Sequence, residues 1–460
     1  MYDYIVIGSG SAGGIMSRRL NASGAKVLLI EAGKHYTRKN FPQSELEYSA
    51  QLFWGGGIEF DTEARTAFLR ARCVGGTTIV NQALMDRFDA DALDDWKQRS
   101  GVDFFSLDAL TPWYEKAEAN LKLHTFGSEE RNSNAQKFCD ASDSLGYKWK
   151  YLRRGMDDCA LGRGNDCVGC LGGCYRDSKQ SSLVTSIQPA LTEGLELRSE
   201  FEVGRIEHHS DHVRVFGHHK GEKVEVRGAK VILCAGSFGT TKLMLASGFK
   251  KQMPALGKGF CQHPQYMLFG VFDDIMDAWR SSFQTVASND HGFRKRGFKL
   301  ENVFAGPVST AFLFKLYGKE HHRIMREYRK MTSLEVAVRD EPEGGEMSLD
   351  NNGKLLVKKT LTDQDNRRRV DGLDTIRQIL HAQGAKEVVE TAFYFGLHLM
   401  GGCQMGVDAT RSVVAPDYRV HGLKNLYIAD TSLYPSAPGI NPSLTAMTLS
   451  YRLSAQLLGE

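Results

Sequence analysis

Three groups of residues in this sequence have types and spacings that could do chemistry. The first is Gly8-Ser9-Gly10-Ser11-Ala12-Gly13, with Glu31 and Ala32 beginning 18 positions after Gly13. Glycines at these intervals suit a cradle for the pyrophosphate of a dinucleotide. Gly8 permits a tight turn, Gly10 lets phosphate reach the backbone, and Gly13 lets a helix pack closely on a strand. A helix opening at Ser11 would aim its free N–H groups at the phosphates, and Glu31 would accept from ribose hydroxyls. The second group is Gly75-Gly76-Thr77-Thr78 with Asn81. Two bare glycines followed by hydroxyls and an amide suit a loop lying against a flat ligand. The third is a thiol set, Cys159, Cys167, Cys170 and Cys174, four of nine cysteines within 16 positions. In a cytosolic enzyme such clustering points to metal or redox chemistry before structural disulfides.

The elements that must position these groups are legible in the apolar pattern. Tyr4-Ile5-Val6-Ile7 and Lys26-Val27-Leu28-Leu29-Ile30 read as buried parallel strands around a helix through Ile15 to Leu20. Lys230 to Cys234, running into Ala235-Gly236-Ser237-Phe238-Gly239, repeats the strand, glycine turn and helix order and fits the same sheet. Leu426 to Ala429 reads as another strand ending at Asp430, and Pro442 opens a last helix through Leu458. Between them, helical periodicity covers 92 to 122 and 179 to 191. Strands are predicted over Leu195 to Glu207 and Val224 to Arg227, with His-containing turns between. Residues 265 to 395 change character, with strand-like runs at 267–272, 284–287, 332–338, 346–349 and 355–359 and a helix over 364–383. The thiol loop, with Gly162-Arg163-Gly164-Asn165-Asp166, has no regular pattern.

A chain of 460 residues predicts two domains. A net charge of +3 argues against nucleic acid as a partner. No apolar stretch approaches the roughly 20 residues that span a bilayer. The first strand begins almost at Met1, leaving no room for a signal peptide, so the predicted location is cytoplasmic, or periplasmic if a partner subunit carries the protein there.

Four ordered blocks resemble the glucose–methanol–choline (GMC) oxidoreductases, which are FAD-dependent. They are Gly8 to Gly13 with Glu31-Ala32-Gly33, Gly75-Gly76-Thr77-Thr78 with Asn81, Ala235 to Gly248, and His398 through Asn441. The resemblance implies an α/β fold. A Rossmann-like FAD domain would be assembled from 1–90, 175–264 and 396–460. A lid and cysteine loop would span 91–174, and an α+β substrate domain on an antiparallel sheet 265–395. It implies that Gly75, Gly76 and Asn81 lie along the flavin, Val203 approaches the adenine, and Ala235, Gly236 and Asp430 belong to the FAD site. The helix at Pro442 would point its positive end at the pyrimidine edge of the flavin. Some relatives attach FAD through a His just before the equivalent of Asn81; Val80 stands there, so FAD should be noncovalent.

The same resemblance makes His398 the general base that takes an alcohol's hydroxyl proton, and Asn441 the group that holds its oxygen. It gives His263 a structural place. The implied activity is oxidation of an alcohol, such as a sugar or polyol hydroxyl, to a carbonyl. A dehydrogenase using an external acceptor or a small electron-carrying subunit is favoured over an oxidase, because the cysteine loop offers an electron exit. For that loop three readings stand open: an iron–sulfur cluster, a zinc site, and no metal. Alternatives for the whole chain are an oxygen-using oxidase of the same fold, or a flavin or metal redox sensor or electron-transfer subunit without alcohol chemistry. An NAD-dependent dehydrogenase is weaker, since only the first βαβ unit supports it. The residues do not name the substrate.

Overall fold

The computed structural model describes residues 1–159, 167–282 and 284–460. The stretch Gly162 to Asp166, read above as irregular, lies outside the described residues.

A seven-stranded sheet carries the nucleotide-type elements. Its order is Glu196–Arg198, Val27–Ile30, Tyr2–Ile7, Glu222–Leu233, Val213–His219, Phe201–His208, with Leu426–Ile428 also paired to Glu222–Leu233. Tyr2–Ile7 is parallel to both neighbours, Tyr4 standing opposite Val27 and Ile7 opposite Leu233. Ile5, Val6, Leu28 and Leu29 are buried on both faces, as an apolar run without alternation requires. Helix Ser11–Ala22 packs on the last helix, Ser443–Leu458, where Arg19 Nε donates to Ser454 Oγ at 2.8 Å. Helix Leu107–Ala119 adds to the same layer through a 2.6 Å bond between the Tyr114 hydroxyl and Thr445 Oγ1.

The structure departs from the sequence reading in four places here. Leu195 to Glu207 is two strands at opposite edges, and the chain steps from one to the other through Glu200, whose φ is 56°. Val224–Arg227 and Lys230–Leu233 are one strand of 12 residues. Gly228 does not turn it; a Cβ there would lie 2.9 Å from Ile5 Cγ1, so the glycine serves close packing. The His-containing segment before it is a strand, Val213–His219, with Val213 and Val215 facing inward. Residues 92 to 122 form two helices, Ala90–Ser100 and Leu107–Ala119, the first ended by Gly101 at φ 71°.

A second, nine-stranded sheet is mostly antiparallel. Pro264–Val271, Met331–Val338 and Phe298–Asn302 form its centre, and helix Asp363–Ala382 covers one face. It also recruits Glu59–Phe60, Thr66–Phe68 and Trp149–Tyr151 from segments assigned elsewhere by the sequence reading. The cavity described next lies where the two sheets meet.

Candidate active site

At the first glycine turn, backbone geometry and side-chain absence coincide. Gly8 has φ 100°, and a Cβ on Gly13 would fall 1.8 Å from the Gly8 carbonyl oxygen. Nothing lies within 4 Å of the Cβ position of Gly10, so its open side faces the cavity. Helix Ser11–Ala22 starts there with no side chain capping its N-terminus, leaving its first N–H groups for an anion. Glu31 accepts from Ser9 Oγ at 2.6 Å, Ser9 N at 3.2 Å and Gly33 N at 2.9 Å. Burial raises its pKa, and those bonds oppose the rise. Ser9, unremarked in the sequence, is the junction: its Oγ also accepts from Gly75 N at 2.9 Å, tying the two glycine loops together. A Cβ on Gly76 would lie 2.9 Å from Gly10 Cα.

Gly8, Gly10, Ser11, Glu31, Ala32, Gly76, Asn81, Val203, Ala235, Gly236, Asp430 and Pro442 line one cavity, together with His398 and Asn441. Gly13 and Gly75 stand behind the lining, and their glycine character serves packing. Asp430 accepts from Gly236 N at 2.9 Å, Ser432 N at 2.9 Å and Thr240 Oγ1, so it anchors the second glycine turn to the end of its strand. Pro442 precedes helix Ser443–Leu458, whose open N-terminus adds a positive end to the wall. The cavity measures about 940 Å³, at the upper end of the roughly 300–1,000 Å³ of ligand sites. Open backbone at Gly10, a helix N-terminus beside it and carboxylates at Glu31 and Asp430 fit a dinucleotide cofactor.

On the far side of this cavity His398 and Asn441 meet, with Asn441 Nδ2 at 3.4 Å from His398 Nε2. Burial, reinforced by the Lys299 charge against the opposing pull of Glu301, holds the His398 pKa down to about 4. The imidazole is therefore neutral at ordinary pH. His263, given only a structural place by the sequence, has its Nδ1 2.9 Å from Nδ1 of His398. Lys299 Nζ donates to Asn441 Oδ1 at 3.0 Å, which orients the amide with Nδ2 toward the histidine. Lys299 also pairs with Glu301 and, at 3.6 Å, with Asp86. Glu301 and Glu335 are cross-strand partners; Gln284 donates to the first at 2.6 Å and Gln265 to the second at 3.4 Å. Burial and the neighbouring Glu301 charge raise the Glu335 pKa well above the usual carboxyl value. The sequence reading found no code in 265–395. One signal was present: Lys299 and Glu301 are two apart on a strand and share a face.

In the cysteine segment, Cys174 Sγ accepts from Lys179 N at 3.5 Å, and its thiol pKa is lowered to about 5, chiefly by its bond with Cys170. Cys159 Sγ lies 3.4 Å from Ser178 Oγ. The side chain of Cys167 is not among the described ones. Among the described residues no group of three or more His, Cys, Asp or Glu is placed to hold a metal. No described helix is long and apolar enough to cross a membrane.

Known proteins resemble this chain along its whole length. A GMC oxidoreductase of Sinorhizobium fredii, itself uncharacterised, is 27% identical over 100% of this chain and 95% of its own. A long-chain-alcohol oxidase of Arabidopsis thaliana is 26% identical, over 99% of this chain and 67% of its own. The crystal structure of pyridoxine 4-oxidase from Mesorbium loti superposes with a TM-score of 0.77 at 16% identity, over 100% of both chains. The N- and C-terminal family models described as GMC oxidoreductase match residues 2–265 and 344–450, and the chain belongs to that family of FAD-binding oxidoreductases.

Proposed function

We propose that this flavoprotein oxidises the CH–OH group of an alcohol to a carbonyl, with His398 taking the hydroxyl proton and Asn441 holding the oxygen. Bound FAD supplies the hydride acceptor. Gly10 and the start of helix Ser11–Ala22 would hold its pyrophosphate, Glu31 a ribose, Val203 the adenine, and the helix after Pro442 the pyrimidine edge. Val80, at the wall, offers no nucleophile, which favours noncovalent FAD. The observation that carries this reading is that a neutral His398 and the Lys299-oriented Asn441 face the same cavity as the glycine cradle. The amide fixes the oxygen, and the neutral ring supplies proton-accepting capacity beside it.

The substrate wall favours an alcohol with an apolar body over the sugar or polyol expected from the sequence. Met267, Val303, Phe304, Leu313 and Phe395 line it, and at its polar end Lys299 offsets Glu301 while burial favours the uncharged form of Glu335. The long-chain-alcohol oxidase among the relatives points the same way. It also favours dioxygen as acceptor over the dehydrogenase reading. For an electron exit through an iron–sulfur cluster, the described residues offer only the hydrogen-bonded thiols of Cys170 and Cys174.

One experiment tests these roles. Anaerobic mixing of the purified yellow holoprotein with 1-decanol should bleach the flavin, and His398→Ala should slow bleaching by roughly 10²–10⁴ while retaining FAD. Peroxide formed on admitting air supports the oxidase; acid-labile sulfide and iron in the same preparation support the cluster. Unchanged bleaching in His398→Ala rejects the assigned base.

A further inference from the structure

Among the described residues twelve large apolar side chains stand exposed, and four of them, Leu46, Phe60, Val308 and Phe312, belong to the wall of the cavity described above. They are between 44% and 69% exposed, so they form its rim rather than its floor. Apolar residues gathered at one mouth differ from the single ones that any soluble surface scatters.

The rim is held by specific contacts. Helix Glu45–Leu52 meets helix Pro307–Leu313 through the Glu45 carboxylate. It accepts from Val308 N at 2.9 Å, Ser309 N at 3.2 Å and Ser309 Oγ at 2.7 Å, tying the elements that carry Leu46 and Val308. Phe393 bridges the other two, with ring centroids 5.9 Å from Phe60 and 5.5 Å from Phe312.

Beside the rim lies a basic stretch. Residues 315–330 hold six Lys and Arg against two Glu, an excess of four where the whole chain carries +3. Arg323 pairs with Glu320 and Glu387, Arg329 with Asp277, and Lys330 with Glu327. Among the described residues Lys315, Lys319 and Arg326 have no carboxylate partner. Tyr317, 90% exposed, stands between the two lysines. The stretch is anchored to the rim from behind: His321 Nε2 lies 2.8 Å from Ala311 O, and the Tyr328 hydroxyl donates to Ala305 O at 2.8 Å.

We propose that the rim and its cationic flank are a docking surface for an anionic lipid membrane, on which the protein lies peripherally with the cavity mouth against the bilayer. The apolar rim enters the acyl boundary, while Lys315, Lys319 and Arg326 meet headgroup phosphates and Tyr317 lies at the interface. A second copy or a partner protein seated on the rim would close the mouth. A bilayer leaves it open to the phase that dissolves an alcohol with an apolar body. That delivery rests on the substrate reading proposed above; binding to the lipid does not.

The test is co-sedimentation of the yellow holoprotein with vesicles of phosphatidylcholine alone, or of equal parts phosphatidylcholine and phosphatidylglycerol. Wild type should sediment with the anionic vesicles and stay in solution with the neutral ones. Raising salt from about 0.05 to about 0.5 M should release it. Lys315→Gln with Lys319→Gln should weaken binding roughly 25-fold, about fivefold per cation, and Leu46→Ser with Phe312→Ser should weaken it further. Wild type that ignores anionic vesicles, or binds both kinds equally, overturns the proposal. So does a dimer in solution that Phe312→Ser dissociates, which assigns the face to a second copy. If a variant does not fold, the salt series on wild type still decides. Vesicle binding by a holoprotein that no alcohol bleaches would sink the alcohol chemistry and support the docking surface; bleaching without vesicle binding would do the reverse.

Discussion

At the level of single side chains, the neutrality of His398 has a direct pH consequence. Its pKa of about 4 lies below the ordinary histidine value of about 6.5. The proton-accepting form is therefore complete above roughly pH 5. The anaerobic bleaching rate should stay flat from pH 7 down to 5 and fall only near 4; a fall centred at 6.5 would contradict the burial argument. The sign for stability is the same. A histidine whose folded pKa is depressed binds protons more tightly when unfolded, so this group destabilises the fold as pH drops from 6.5 toward 4. Residue types told part of this story. His398 and Asn441 stood in a block whose order resembles a family. His263 was given only a structural place, and Lys299, Glu301 and Glu335 did not stand out, because their meaning comes from distances across the fold: Glu301 meets Glu335 through a register that no local pattern encodes.

Among elements, the opening strand, turn and helix were the most legible part of the chain. Gly8, Gly10 and Gly13 each answer a local backbone demand, and such demands are written in adjacent residues. Gly13→Ala tests this. Its Cβ would meet the Gly8 carbonyl oxygen at 1.8 Å, so helix and strand must part; the expected loss is about 1–3 kcal/mol, read as a lower melting temperature with weakened FAD retention. Gly10→Ala has free space around its Cβ, and should keep stability while losing FAD affinity. Equal loss of stability in both would remove the distinction between packing glycine and approach glycine. Elements were misread where one residue decided the path. Glu200 interrupts the predicted strand in a left-handed conformation that its residue type does not favour, and Gly228, between two predicted strands, sits inside one continuous strand.

For the whole molecule, the two-sheet plan followed from the change of pattern near residue 265, but the exact partition did not. Trp149–Tyr151 and Thr66–Phe68 complete the second sheet from afar, and strands of three residues leave little periodicity to read. The shape of the joint cavity makes a molecular-scale prediction. With an apolar wall and a charge-balanced polar end, each added methylene of a straight-chain primary alcohol should raise kcat/KM about fourfold, the worth of ~0.8 kcal/mol per buried CH₂, until the wall is filled. A flat series from ethanol to decanol, or glucose outperforming both, would contradict it.

The contact of helix Ser11–Ala22 with helix Ser443–Leu458 bears on how the protein is made. The cradle is synthesised long before the helix that supports it. Until Ser443–Leu458 is made, helix Ser11–Ala22 lacks that cover. The cradle is therefore complete only once the distant helix has been synthesised and docked.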